Sequence, residues 1–467
     1  KRKKQKKENN MLDTSVEICA LALNEIINAF KGAKDLDIRH IFSEKADRVT
    51  NTFVINGKSF AVSNLTHGYA DETDRKRKIR RYAALSLYKA LSNYLGVTLP
   101  WGALTGVRPT KLAYDSIEKT GEFYDFFVSD MKVSEEKAML TKEVLEGQKG
   151  IYSKDENNTD LFVFIPFCPT RCKYCSFISQ DLKSARKLVD KYIDVLCEEI
   201  EQSRKFIKNL RSVYVGGGTP VSLSDEQLKR VLSALSFVKK GTEFTVEAGR
   251  PDCITESNLK LLSDYGVTRI CINPQTFNDK TLELIGRKHT AGQTIEKYNL
   301  AKDIFSVNMD LIAGLEGETV NDFKYSIDKA ISLSPDDITV HTLCVKKGSY
   351  IAEEGCKADD KEVEKMIAYA HEALHKAGYK PYYLYRQKYM AGCLENTGYA
   401  KEGKACVYNV DVMEETTRIV ACGANAISKE VKAGGKTILR AGAPKDVATY
   451  IEKAAEIIKE KERIFSW

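Results

Sequence analysis

The sequence lacks the features that mark membrane and secreted proteins. No apolar run reaches the roughly 18–20 residues that a membrane-spanning helix requires, and there is no charged-then-apolar leader with a small-residue cleavage site. Hydrophobic residues make up 43% of the 467 residues and charged residues 29%, which is typical of globular domains. A chain of this length is too long for one hydrophobic core. We therefore expect a cytoplasmic protein with more than one domain and no membrane contact.

The chain also has little net charge outside one short segment. The formal net charge is +7, but residues 1–8 (KRKKQKKE) alone contain six positive charges and one negative charge. Such a tail can bind nucleic acid, or it can simply be solvated. We favour the second interpretation, treat residues 1–10 as a basic tail, and expect no nucleic-acid partner.

Disulfides are not expected, although the chain has twelve cysteines, because a cytoplasmic protein keeps its thiols reduced. The exception to their scattered distribution is the segment FCPTRCKYCSF (167–177), which contains Cys168, Cys172 and Cys175. A 4Fe–4S cluster normally has four cysteine ligands, so three would leave one iron with an open coordination position. Structural zinc needs four protein ligands, usually in two separated pairs. Zinc with a remote fourth ligand stays open as the alternative on spacing alone.

From residue 160 onward, short β-branched runs alternate with helical patterns. This alternation predicts a parallel sheet of six βα units, which is a partial barrel, short of the eight units of a closed one. The six predicted strands cover residues 161–167, 212–218, 243–249, 267–273, 306–314 and 337–345. Chemistry in such folds is located at the C-terminal ends of the strands, and the cysteine segment follows the first of them.

The remaining segments have a different character. Residues 11–155 indicate an N-terminal α/β domain, with helices at 16–30 and 73–96 and a hairpin at 52–63 around the turn residues Asn56 and Gly57. A polar break (DENNTD, 155–160) separates this domain from the partial barrel, which we assign to 160–378. Residues 380–467 are predicted to form a smaller C-terminal extension.

The spacing CxxxCxxC, with the aromatic Tyr174 before the last cysteine, resembles the signature of radical S-adenosylmethionine (SAM) enzymes. The resemblance implies that three cysteines hold a 4Fe–4S cluster whose open iron chelates the amino and carboxylate groups of SAM. One electron from the cluster then cleaves SAM to methionine and a 5′-deoxyadenosyl radical. The fold of that superfamily is a partial βα barrel, in agreement with the strand count.

Polar and glycine-rich positions after the later strands fit a SAM site under this resemblance. The segment VGGGTP (215–220) allows a ligand to approach the backbone closely, although a glycine run can also be a tight βα turn. Arg287 could pair with the SAM carboxylate through its bidentate fork, and acidic or amide side chains could bind the ribose hydroxyls or the amino group. Each of these residues could instead belong to the surface or to an ion pair. The predicted SAM-binding residues are Tyr174, Gly216, Gly217, Gly218, Thr219, Glu247, Gln275, Arg287 and Asp310.

Longer motifs narrow the resemblance. IPFCPTRCKYCSF, VYVGGGTP, INPQTFNDKTLELIGRKHT and MDLIAGLEGET occur in the order found in the oxygen-independent coproporphyrinogen III oxidase family. PWGALTGVRPTK and YYLYRQKYMAGCLENTGY resemble its HemZ-type coproporphyrinogen dehydrogenases. The implied reaction is an oxidative decarboxylation in heme and porphyrin biosynthesis, in which two propionates of coproporphyrinogen III become the vinyl groups of protoporphyrinogen IX. The implied partners are this tetrapyrrole and an electron donor such as flavodoxin or ferredoxin.

The chain departs from the best-studied oxidases of the family at three positions. Phe177 occupies the place of a fourth cysteine, and Phe162 and Phe164 replace a Tyr and a His before the first cysteine. Two alternatives therefore stay open: a heme-binding or trafficking protein on the same scaffold, and a radical SAM enzyme that acts on another tetrapyrrole by methyl transfer or ring opening. A non-enzymatic zinc protein is the third. Cations that could meet the substrate carboxylates are Arg386, Lys388, Lys346 and Lys347. His341 could face the barrel interior or be a core histidine.

Overall fold

The computed structural model describes residues 12–45, 47–66, 68–175, 180–345, 358–388 and 390–466. The basic tail, Phe177, Lys346 and Lys347 lie outside the described residues. The chain divides into two compact units, Lys1–Leu140 and Thr141–Trp467. This division lies N-terminal to the polar break at 155–160, within helix α4 (Glu135–Gly147). The domain bounds given from the sequence stay a prediction.

The first unit contains a four-stranded sheet in the order β1-β2-β3-β4. Its strands are β1 Leu12–Thr14, β2 Ile38–Lys45, β3 Arg48–Ile55 and β4 Lys58–Leu65. Strands β2 to β4 are antiparallel, and the predicted hairpin turn at Asn56 and Gly57 has the positive φ values (45° and 82°) that such turns require. The helices of this unit are α1 Glu17–Ala29, α2 Glu72–Leu95 and α3 Pro109–Thr120. Helix α2 begins after the N-cap Asp71, whose side chain accepts from the Asp74 amide, and ends at Gly96.

The second unit is built around an eleven-stranded sheet. Six consecutive strands of it are parallel and correspond to the six predicted strands. They are β5 Asn158–Ile165, β8 Asn209–Gly217, β9 Glu243–Gly249, β10 Arg269–Ile272, β11 Ser306–Ala313 and β12 Asp337–Thr342. Between β5 and β8, the two short strands β6 Phe167–Cys168 and β7 Gln180–Asp181 pair with each other. The predicted parallel α/β fold of six βα units is confirmed.

Helices cover the sheet and connect its strands. They are α5 Leu182–Ser203, α6 Asp225–Ala234, α7 Glu256–Asp264, α8 Asp279–Leu284, α9 Ala291–Ala301, α10 Val320–Leu333 and α11 Asp360–Lys376. Where one helical pattern per connection was predicted, the connection from β10 to β11 contains both α8 and α9. The capped N-termini of α9 and α10, at Thr290 and Thr319, fix where these helices begin. No helix of the described residues is long and apolar enough to cross a membrane.

The predicted C-terminal extension, 380–467, contributes strands to both edges of this sheet within its described residues. Strand β14 Asn396–Ala400 adds antiparallel to β12, and β13 Lys380–Tyr385 adds antiparallel to β14. At the other edge, β15 Arg418–Cys422 adds parallel to β5. Strands β16 Ile427–Lys432 and β17 Thr437–Gly442 complete the second edge. Helices α12 Val407–Glu414, α13 Val447–Glu452 and α14 Ala454–Phe465 accompany them. All five residues of β15 are buried. Buried backbone groups need hydrogen-bond partners, so β15 is stable inside the sheet, where both of its edges are paired, and not as a separate extension.

Candidate active site

A cavity of about 370 Å³ opens among the C-terminal ends of the parallel strands and the loops that follow them. Its wall contains the three cysteines of the 168–175 segment together with side chains from β8, β9, β10, β11 and β12. Of the predicted SAM-binding residues, those that line this cavity are Tyr174, Gly217, Gly218, Thr219, Glu247, Gln275, Arg287 and Asp310. Gly216 lies directly behind them. The fold therefore brings together residues that are up to 142 positions apart in sequence (168 to 310).

The cysteine loop is attached to two neighbouring segments. Cys168 ends β6, and its Sγ accepts a hydrogen bond of 3.5 Å from Thr219 Oγ1 in the turn after β8. The Lys173 amide donates to the carbonyl of Ile285 at 3.0 Å, next to the end of α8. The Cys175 amide donates to the Cys172 carbonyl at 3.1 Å, which forms a turn between these two cysteines. These contacts place the three thiols along one wall of the cavity.

The three glycines at the end of β8 and directly after it are each required by a close neighbour. A Cβ on Gly216 would lie 2.9 Å from the Glu247 carboxyl carbon, and one on Gly218 would lie 2.3 Å from the Phe167 carbonyl oxygen. Gly217 has φ of +107°, and a Cβ there would lie 2.6 Å from the Phe164 ring. The turn is therefore packed against β5 and against the Glu247 carboxylate of β9. Phe164 of β5, where the family pattern has a different residue, forms part of that packing.

Glu247 is the half-buried carboxylate beside this turn. Its Oε1 accepts from the Tyr214 hydroxyl at 2.7 Å, and its Oε2 accepts from the Gly217 amide at 3.2 Å. Burial raises the pKa of Glu247 to about 7, against the lowering effect of these two donors. The carboxylate is thus close to its titration point at neutral pH, and a cation bound next to it would favour the ionised form.

Gln275, in the segment that follows β10, lies beside Asp310 on the neighbouring strand β11. The Gln275 amide donates to the Asp310 carbonyl at 2.9 Å, and its carbonyl accepts from the Ile312 amide at 3.0 Å. Gln275 has φ of +66°, an uncommon conformation for a residue other than glycine, which points to a local constraint at this site. Its side-chain Oε1 is buried and has no hydrogen-bond partner among the described residues.

Asp310 also lies close to His341, for which the sequence left open whether the side chain faces the barrel interior or the core. His341 lines the cavity, and its Nε2 lies 3.6 Å from Asp310 Oδ2, while the Tyr385 hydroxyl lies 3.4 Å from its Nδ1. Asn308 Nδ2 donates to the other carboxylate oxygen of Asp310 at 2.8 Å. Burial acts to raise the pKa of Asp310, but the hydrogen bond and charge of His341 outweigh it, so the net pKa is lowered. Asp310 is therefore an ionised acceptor.

Arg287 is held by Tyr174. Its Nε and Nη2 donate to the Tyr174 hydroxyl at 3.2 and 2.9 Å, and its Nη1 donates to the carbonyls of Gly249 and Asn273, both at 3.3 Å. No carboxylate of the described residues pairs with Arg287 in an ion pair or hydrogen bond. A buried guanidinium bonded only to neutral acceptors is well suited to receive a ligand carboxylate.

Arg250 is a site residue that the sequence reasoning missed. It follows β9 and is only 3% exposed, and its Nη1 donates to the Thr170 carbonyl (3.2 Å) and hydroxyl (2.6 Å) in the middle of the cysteine loop. Its Nε and Nη2 form a bidentate pair with Asp252 at 3.0 and 2.7 Å. The signal in the sequence is the segment EAGRPD, in which a glycine turn places a cation directly after a strand end.

Two of the four cations suggested for substrate carboxylates, Arg386 and Lys388, do not line the cavity. Arg386 is half-buried, its Nη2 donates to the Cys393 carbonyl at 3.0 Å, and burial lowers its pKa to about 10. Neither Arg386 nor Lys388 lines the cavity, whereas Arg171, Arg250, Arg269 and Arg287 do. Lys346 and Lys347, the other two candidates, lie outside the described residues.

The donor set fits a thiolate-bound cluster with a zwitterionic ligand next to it. The cavity wall supplies three thiols, a carboxylate and a guanidinium, and it also carries buried oxygen atoms without partners among the described residues, at Thr245, Asn273 and Gln275. Such atoms are costly to bury unless a ligand pairs with them. Among the described residues, no three His, Cys, Asp or Glu side chains converge on one point as ligands of a single metal ion.

Comparison with known proteins identifies the family. Residues 162–330 match the model of the radical SAM superfamily. The oxygen-independent coproporphyrinogen-III oxidase-like protein HemZ of Bacillus subtilis (strain 168) is 34% identical over 477 aligned positions, which cover 96% of this chain and 95% of that protein. The chain belongs to this HemZ-like family of radical SAM proteins. Its cofactors are accordingly a 4Fe–4S cluster and SAM, and the zinc alternative is dropped.

The chain is also similar to two other radical SAM proteins, over a smaller part of its length. The heme chaperone HemW of the same bacterium is 35% identical over 193 positions, which cover 40% of this chain and 50% of that protein. The solved structure of the coproporphyrinogen III oxidase HemN from Escherichia coli, described as a radical SAM enzyme, matches with a TM-score of 0.53 at 22% identity, covering 68% of this chain and 72% of that one. The second match shows that the folds are alike.

Proposed function

We propose that this protein catalyses the oxygen-independent oxidative decarboxylation of coproporphyrinogen III to protoporphyrinogen IX. A donor such as flavodoxin or ferredoxin would supply one electron for each SAM that is cleaved, and an external acceptor would take the electron left on the substrate when CO₂ leaves. The observation that carries the proposal is the extent of the HemZ similarity, which includes the N-terminal unit and covers 96% of the chain. The similarity to the HemW chaperones covers between 40% and 57% of the chain.

We assign the three cysteines as ligands of the cluster, and the other predicted residues as contacts of SAM. When bound, the cluster and SAM supply the capacity to abstract a hydrogen atom from an unactivated carbon. Glu247 and the adjacent glycine turn would bind the SAM ammonium group, and Arg287 its carboxylate. Asp310 and the unpaired Oε1 of Gln275 would bind hydroxyl and amino groups.

The protein contributes positioning and exclusion of water. The side chains named above are buried or half-buried in a cavity enclosed by β-strands on one side and the cysteine loop on the other. A substrate β-carbon held next to the reactive carbon of SAM needs no proton transfer for its hydrogen to be abstracted, so orientation is the main requirement. His341, which lines the cavity between Asp310 and Tyr385, is a candidate for contact with a propionate.

The test is an anaerobic reaction of the reconstituted protein with a reductant, SAM and coproporphyrinogen III, followed by mass spectrometry. We expect 5′-deoxyadenosine together with the loss of two CO₂ per tetrapyrrole, and no product with Cys172→Ala. Formation of 5′-deoxyadenosine without decarboxylation would overturn the substrate assignment. A methylated or ring-opened tetrapyrrole would show that another radical reaction takes place.

Heme binding or trafficking is the second candidate function. Two observations favour it: the 35% identity to a heme chaperone, and Phe177 in the place of the fourth cysteine. Heme that stays bound through gel filtration, in a protein that does not turn over any tetrapyrrole, would select this function over decarboxylation.

A further inference from the structure

Arg250 connects three features of the site that no sequence motif joins. Its guanidinium reaches the Thr170 carbonyl and hydroxyl, and Thr170 lies between the first two cluster cysteines. Its other face is bound to both oxygens of Asp252. It also forms part of the cavity wall beside Cys168, Cys172 and Cys175.

The backbone of β9 directs this side chain to the loop. Gly249 adopts φ of +61°, and the Arg250 amide closes a tight turn onto the Ala248 carbonyl at 2.6 Å. The turn is fixed from the other side, because the Asn273 amide and the Arg287 guanidinium both donate to the Gly249 carbonyl. The position of Arg250 is therefore set by the sheet and not by the loop that it contacts.

The charge of Arg250 is secured despite burial. Burial acts to lower the pKa of Arg250, but the hydrogen bonds and charge of Asp252 and the proximity of Cys172 outweigh it and raise the net pKa. Arg250 and Asp252 form a bidentate ion pair, and the positive end of this pair, the Arg250 guanidinium, lines the cavity together with the three cysteines. Hydrogen bonds, net charge and solvent exposure are the means by which a protein tunes the potential of an iron–sulfur cluster.

We propose that Arg250 is a positioning residue of the cluster site, which fixes the cysteine loop through Thr170 and raises the reduction potential of the bound cluster through its charge. A cation near the cluster stabilises the reduced state, which carries one more negative charge than the oxidised state. The negative charge of Asp252 lowers the reduction potential and so partly offsets the effect of Arg250. The inference rests on the cluster and its three ligands, and it holds whether or not the substrate is coproporphyrinogen III.

The experiment compares three variants of the reconstituted full chain: Arg250→Met, Arg250→Lys and Asp252→Asn. Iron and sulfide per chain are measured first, and the midpoint potential of the cluster is then measured by redox titration with electron paramagnetic resonance, without tetrapyrrole. We expect R250M to shift the potential to more negative values, D252N to shift it to more positive values, and R250K to stay nearest to the parent. Thr170→Val, which removes one acceptor and no charge, should increase the rate of cluster loss on chelation several-fold at an unchanged potential.

The outcomes separate a tuning role from a purely structural one. Shifts of opposite sign in R250M and D252N support the proposal. Potentials equal to the parent in both variants, at full iron content, overturn it. If R250M does not retain a cluster, D252N decides the question alone, and a null or negative shift in that variant overturns the proposal. Because no substrate is present, a failed decarboxylation assay has no bearing on the result.

Discussion

The hydroxyl of Tyr174 accepts two hydrogen bonds from Arg287, at 3.2 Å from Nε and 2.9 Å from Nη2. The two residues are 113 positions apart, one within the cysteine motif and the other after α8. Burial raises the pKa of Tyr174, so its hydroxyl stays neutral. Burial acts in the opposite direction on Arg287, but the nearby Tyr174 and Cys172 groups outweigh it, and its net pKa is raised. The aromatic residue of the signature thus orients the guanidinium assigned to the SAM carboxylate.

Removing this hydroxyl should weaken SAM binding while the cluster is retained. Tyr174→Phe keeps the ring but takes away the acceptor of two charge-assisted hydrogen bonds, each worth about 1.5–3 kcal/mol in favourable cases. We expect SAM affinity, measured by anaerobic calorimetry, to fall by about tenfold, or 1.4 kcal/mol. Tyr369→Phe is the matched control, because that hydroxyl bonds to Asp328 at the protein surface. Equal affinities of Y174F and the parent would show that Arg287 is oriented by other contacts.

Glu247 should make SAM binding dependent on pH near neutrality. Its pKa is about 7, and the ionised form is the better partner for an ammonium group, so affinity should increase from about pH 6 to about pH 8. Glu247→Gln should bind more weakly and with little dependence on pH over this range. The stability of the SAM-free protein should show the opposite trend: a carboxyl whose pKa is raised by folding loses stability as pH rises from about 4.5 to about 7. A parent-like pH profile in E247Q would assign the titration to another group.

Local signals in the sequence were sufficient for the parallel α/β fold, and the resemblance to radical SAM enzymes supplied the candidate site residues. The predicted strand 306–314 is β11, Ser306–Ala313, and 243–249 is β9 with the same bounds. The parallel strands are rich in apolar and β-branched residues, and the chemistry of parallel sheets is located toward the C-terminal ends of the strands. Glu247 and Asp310, which were predicted as SAM contacts from their strands and from the resemblance to radical SAM enzymes, both line the cavity.

Contacts between distant segments could not be predicted in this way. Strand β15 is stable only through pairing with β5, more than 250 positions earlier, and its segment showed no clear strand pattern. Arg250 has no motif of its own, because its role depends on the turn at Gly249 and on a threonine that lies 80 positions before it. The same holds for His341, whose position between Asp310 and Tyr385 depends on the register of β11, β12 and β13.

A substitution at Gly217 tests how tightly the glycine turn packs against the ring of Phe164. Gly217→Ala places a Cβ 2.6 Å from the Phe164 ring and also imposes a positive φ on alanine. Gly241→Ala is the matched control, with φ of +94° and no atom within 4 Å of the new Cβ. We expect G241A to cost about 1 kcal/mol of unfolding free energy and G217A about 1–3 kcal/mol more, in urea denaturation. Equal costs would mean that Phe164 moves aside easily and that the turn is less tightly packed than the structure indicates.

The C-terminal helix should be essential to the fold of the second unit, because it supplies a buried cation. Lys461 Nζ donates to Glu199 Oε1 at 2.7 Å and to Ser203 Oγ at 2.9 Å, and both charged side chains are only 2% exposed. Lys461→Met would leave the Glu199 carboxylate buried without its cation, at a cost of about 3–5 kcal/mol. Lys453→Met, which removes an exposed lysine paired with Glu456 next to the same helix, should change stability by less than about 0.5 kcal/mol.

A double variant distinguishes loss of charge pairing from loss of packing. In Glu199→Gln with Lys461→Met, neither of these two positions carries a charge. The amide oxygen of the new side chain can still accept from the Tyr450 hydroxyl and from the Gly423 amide, which now donate to Glu199. We therefore expect the double variant to regain at least half of the stability that K461M loses, measured as unfolding free energy in urea. If the double variant is as unstable as K461M, the lysine stabilises the helix by its packed aliphatic stem and not by compensating the buried carboxylate.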